Sequence, residues 1–175
     1  MRSLIVGIFL VLFFAKCSDK QSPILKFSHD AEKDTTWINE EFLRESPFAH
    51  SGKQVSYTDA NINYSLGLKK RIGAISDKKL RKIIFSAWVY LDSLSAFPRL
   101  EVVSSIDYNG KNISWTAFPL KDQVLESHKW TFVRAEFKFP YQSPPDPSHM
   151  YSVYILNTSK TTVLIDDVNC EFETE

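Results

Sequence analysis

The chain has 175 residues, enough for about one domain, and its 21 Lys and Arg are balanced by 21 Asp and Glu, so the formal net charge is zero. Hydrophobic residues at 43% and aromatics at 14% can fill a substantial core, which excludes wholesale disorder. No block of like charge marks a nucleic-acid-binding surface, and five Gly with two Cys exclude collagen-like repeats and a disulfide-stapled miniprotein.

The first segment, 1–17, places Arg2 ahead of an apolar run from Leu4 to Ala15 and then Lys16-Cys17. A run of 12 residues is too short for a bilayer core of about 30 Å, so it reads as a secretory signal. Cys17 directly after it resembles the lipobox cysteine of bacterial lipoproteins, although Lys16 stands where that motif has a small residue. The resemblance implies lipidation at Cys17, a lipid anchor in the membrane and display at the cell envelope, periplasmic or on the outer surface. The alternatives are an ordinary cleaved signal with secretion, or an uncleaved anchor. With Cys17 acylated, Cys170 is a lone thiol, and its place in the alternating Val168-Asn169-Cys170-Glu171-Phe172 makes it a small core side chain.

Residues 18–24 form a polar tether, and a single domain occupies 25–174. Strands are predicted at 25–32, 52–58, 62–70, 80–91, 99–107, 112–120, 130–139, 149–157 and 161–173. In 80–91, Ile83, Phe85, Ala87, Val89 and Leu91 alternate with Ile84, Ser86, Trp88 and Tyr90; in 130–139, Val133, Ala135, Phe137 and Phe139 share one face. Tyr108-Asn109-Gly110-Lys111 signals a hairpin, and Pro144-Pro145-Asp146-Pro147 a rigid loop. Only Asn39 to Glu45 looks compatible with a helix. The fold class is all-β, one sandwich of about eight or nine antiparallel strands.

Four stretches in order resemble the galactose-binding-like jelly rolls of carbohydrate-binding modules appended to xylanases. They are His29-Asp30-Ala31-Glu32 followed by Trp37; Ala49-His50-Ser51-Gly52-Lys53-Gln54-Val55-Ser56; Ile84-Phe85-Ser86-Ala87-Trp88-Val89; and Trp130-Thr131-Phe132-Val133 with the closing Val153-Tyr154-Ile155 to Ile165-Asp166-Asp167-Val168. Ala31 stands where that family usually has Phe. The resemblance implies a jelly roll, glycan binding and a structural calcium ion (Ca2+). Glu32 and Asp167 would give the ion side-chain oxygens, Ser51 and Lys53 carbonyls, and Asp30 is a further candidate.

No enzyme motif is present: the four His are scattered, and no zinc, phosphate-loop or nucleophile-elbow spacing occurs. Asp166 and Asp167, as strand neighbours, are expected to point to opposite faces and so cannot form a glycosidase pair. Sugar rings stack on exposed aromatics, which singles out Trp88, Tyr90, Trp115 and Tyr154, with Tyr108 and Tyr141 behind them. Large aromatics are more often packed, beneath a loop for Trp88 or in the core for Trp115. The basic stretch Lys69-Lys70-Arg71, Lys78-Lys79 and Arg81-Lys82 is interrupted by Asp77 and reads as solvated surface. The expected function is that of a non-catalytic, monomeric envelope lipoprotein binding glycan and no nucleic acid. The alternative is a structural or protein-interaction module of the envelope.

Overall fold

Among the described residues, alternating apolar residues build ten strands: β1 (Ile24–His29), β2 (Leu43–Glu45), β3 (Gln54–Thr58), β4 (Tyr64–Arg71), β5 (Leu80–Leu91), β6 (Leu100–Tyr108), β7 (Lys111–Pro119), β8 (Trp130–Lys138), β9 (Met150–Asn157) and β10 (Val163–Thr174). The structure, a computed structural model, describes residues 24–32, 37–93, 99–124, 126–139, 146–159 and 161–175. The signal 1–17 with Cys17, the tether up to residue 23, and Tyr141 lie outside the described residues.

All pairings are antiparallel and fall into two sheets. The six-stranded sheet runs β2-β3-β10-β5-β8, with β1 also on β10; the four-stranded sheet runs β4-β9-β6-β7. The class read from the sequence, an all-β sandwich, is the class observed. The central strands turn one file inward: Ile83, Phe85, Ala87, Val89 and Leu91 of β5 meet Tyr151, Val153 and Ile155 of β9 in one continuous core. Cys170 is buried there as a free thiol, and burial pushes it far above the ordinary thiol range.

The segment 39–45 is not a helix. A single 3-10 turn at Glu40–Phe42 leads into β2, because pairing of Leu43–Glu45 with Gln54–Ser56 satisfies more backbone than an isolated helical turn would. A one-turn helix α1 (Ile72–Ile75) follows β4 and buries Ile72 and Ile75.

Three irregularities interrupt the ladders of the described residues. In β10 the register against β5 slips between Asp166 and Asn169, with Asp167 at φ 48°, the mark of a β-bulge. In β4 the register slips between Tyr64 and Gly67, and hydroxyls repair the ladder: Ser65 Oγ accepts from Ile155 N at 2.9 Å and Ser56 Oγ from Leu66 N at 2.7 Å. At the free edge of β8 the Gln123 amide donates to Arg134 O (2.9 Å) and accepts from Arg134 N (2.8 Å), standing in for a strand that is not there.

Candidate functional site

The outer face of the four-stranded sheet is a grid set by register. Lys69, Ser152, Ser105 and Trp115 lie in one row across β4, β9, β6 and β7, and Gly67, Tyr154, Val103 and Ala117 form the next. Val103, Ser105 and Ser152 are 0%, 6% and 4% exposed, whereas Trp115 is 53% exposed. Small residues therefore floor a trough walled by large ones. Trp115 has no ring partner among the described residues, while Tyr154 meets Tyr64 edge-on at 5.5 Å. Gly67 lets Tyr154 lie down: a Cβ there would stand 2.7 Å from Tyr154 Cβ. Burial, then Tyr64 and Asp107, raise the Tyr154 phenol above its ordinary range, so it is a neutral donor near pH 7. The hydroxyls of Ser105 and Ser152, low in the floor, make no hydrogen bond among the described residues.

The four aromatics picked from sequence divide between the sheets. Trp115 and Tyr154 share the trough; Trp88 and Tyr90 lie on the opposite, six-stranded face beneath the segment 46–51. There His50 stacks on Trp88 (4.2 Å between ring centres), Phe48 stacks on Tyr90 (5.9 Å), and Trp130 Nε1 donates to Phe48 O at 2.9 Å. A cavity of about 420 Å³ opens beside this strap between Phe48, Tyr57, Tyr90 and Leu164. Its Tyr90 ring is engaged already, with Phe48, Trp130 and His128.

The strap runs into a turn where the residues chosen for calcium meet. Glu32 Oε1 accepts from Lys53 N (2.5 Å) and Gln54 N (3.0 Å), and these bonds hold its carboxyl below the ordinary range. Asp167 Oδ1 accepts from Ser51 Oγ at 2.7 Å, and its Oδ2 lies 2.6 Å from His50 Nδ1. The expectation that Asp166 and Asp167 point apart is corrected here. The bulge breaks the alternation, and Asp166 Oδ2 accepts from the backbone of the same turn, His50 N (2.9 Å) and Ser51 N (3.0 Å). Burial pushes the Asp166 carboxyl up despite these donors.

Glu32 and Asp167 thus both bond the same turn, Glu32 through the backbone of Lys53 and Gln54 and Asp167 through Ser51 Oγ and His50 Nδ1. Glu32 Oε2 takes no hydrogen bond among the described residues, whereas Lys53 O accepts from Ser46 N at 3.0 Å. Among the described residues no group of three or more His, Cys, Asp or Glu side chains is placed to hold a metal. Asp30 turns locally instead, accepting from Glu32 N at 3.2 Å. Sequence reasoning missed His50, Asp166, Ser105 and Ser152. The first two are visible only once the bulge is known, and strand serines carry no signal of their own.

No family model and no curated protein matches the chain. Solved structures do match. The CBM22-1 xylan-binding domain of Paenibacillus barcinonensis Xyn10C is 19% identical with a TM-score of 0.53, over 89% of this chain and 98% of that one. The CBM22-2 xylan-binding domain of the same protein is 13% identical with a TM-score of 0.53, over 85% and 99%. The chain has the fold of a carbohydrate-binding-module β-sandwich. The CBM22-1-CBM22-2 tandem agrees (21% identity, TM-score 0.56, 90% of this chain), and this single module spans 48% of its length.

Proposed function

We propose that this β-sandwich is a non-catalytic glycan-binding module, and that its site is the trough on the four-stranded sheet. The observation that carries the reading is the half-exposed Trp115 indole, without a ring partner among the described residues, in one row with the Ser105 and Ser152 hydroxyls and near the Tyr154 phenol. A sugar ring stacks its C–H face on such an indole while the hydroxyls orient it. Likeness to xylan-binding domains supports the class of ligand through fold alone. The experiment is affinity electrophoresis of the domain through a panel of plant, algal and bacterial polysaccharides. At least one retards it, and Trp115→Ala weakens that binding about tenfold or more while its melting temperature stays within a degree or two. No retardation by any polysaccharide would return the protein to the structural or interaction-module reading.

Two further expectations complete the proposal. A calcium ion held by Glu32 and Asp167 carboxylates with Ser51 and Lys53 carbonyls would tie both chain ends to the turn; its test is elemental analysis and a melting temperature that EGTA lowers. Lipidation at Cys17 would display the module at the envelope; its test is loss of membrane partitioning in Cys17→Ser.

A further inference from the structure

The four-stranded face carries its charge in two separated files. Alternation along β4 sends Lys69 and Arg71 outward, while Lys70 turns away and sets its Nζ 5.2 Å over the Phe27 ring. The basic run that looks like one solvated cluster in the sequence is thus split, and its outward pair borders the trough. Neither Lys69 nor Arg71 has an ion-pair partner among the described residues. The acids of this face, Glu101 and Asp107, stand on β6 with β9 between, and Asp107 Oδ1 already accepts from Asn112 Nδ2 at 3.0 Å.

Lys69 shares its row with Ser152, Ser105 and Trp115, so a cation, two hydroxyls and an aromatic plane lie in one line across the sheet. Strand spacing places the Lys69 and Trp115 backbones roughly 14 Å apart. A monosaccharide stacked on Trp115 cannot reach Lys69; a short oligosaccharide lying along the row can. An anionic group at its far end would meet a point charge from Lys69 and a two-pronged donor from Arg71 one row away.

Resting on the glycan reading of the trough, we propose that the ligand is an acidic oligosaccharide, with one sugar stacked on Trp115 and the anionic group of another over Lys69 and Arg71. The anion is a uronate carboxylate or a sulfate ester, and matched probes separate the two. Glucuronoxylan, polygalacturonate and alginate are each compared with their carboxyl-reduced forms, and carrageenan and fucoidan with their desulfated forms, by affinity electrophoresis. At least one acidic polymer binds about tenfold more tightly than its neutralised partner. The double variant Lys69→Met/Arg71→Met binds the acidic polymer no better than the wild type binds the neutralised one. Equal affinity within every pair, or an unchanged double variant, overturns the proposal and leaves glycan binding standing. Acidic binding that survives Trp115→Ala is plain charge attraction outside the trough and also overturns it. Failure of every polymer, acidic or neutral, sinks the glycan reading itself.

Discussion

Gly52 shows how closely single residues are held. It sits at φ +59°, and a Cβ built on it would collide with Glu32 Oε1. Gly52→Ala must strain the backbone and displace the carboxylate from the amides of Lys53 and Gln54. Chemical denaturation should show about 1–3 kcal/mol of lost stability, and a neutral result would mean that the Glu32 contact is dispensable. Glu32 also predicts an acid response. Its carboxyl lies below the ordinary 4.5 in the folded state because two backbone N–H groups bind the ionised form. A depressed carboxyl contributes stability that is present above its unfolded value and lost as pH falls through the folded one. Asp166 has the opposite sign, since burial raises it and its contribution weakens as pH rises through the folded value. Melting temperature should therefore drop below about pH 4.5, and less steeply in Glu32→Gln, which keeps an acceptor oxygen but does not titrate. Parallel acid limbs for the two proteins would refute the assignment.

Among the elements, the strap 46–51 and the trough face opposite ways, and mutations should respect that division. Trp130→Phe deletes the N–H donated to Phe48 O and should cost about 0.5–1.5 kcal/mol of stability, with glycan affinity unchanged. Trp115→Ala should do the reverse, and a Trp130→Phe form with weakened binding would place the ligand on the wrong sheet. Strand positions were largely legible: the runs at 80–91 and 130–139 alternate so cleanly that β5 and β8 fall within a residue of them. β2 was not, because its three residues owe their strand form to β3 and show no pattern alone. The site was half legible. Alternation takes Trp88 out of the core but does not show that it meets His50, and Trp115, read as a core side chain, instead meets solvent. That difference is made by a loop distant in sequence. The Asp166-Asp167 bulge was hidden for a related reason, since period-two counting assumes an unbroken ladder.

On the scale of the molecule, β10 is the keystone of the larger sheet. One side pairs with β5 along most of its length; the other pairs first with β3 and then with β1, so that Ile24 meets Glu173 across the chain. Removing 163–175 should leave a chain with no cooperative unfolding transition, whereas a truncated form that still melts sharply would show the sheet to be built otherwise. Such distant pairings make folding slow, on the order of milliseconds to seconds, as loop closure precedes the contacts that reward it. Time is the consequence. Until β10 has been synthesised, β1, β3 and β5 have no common neighbour, so the larger sheet cannot close and the emerging chain stays loose until its partners' shared strand arrives.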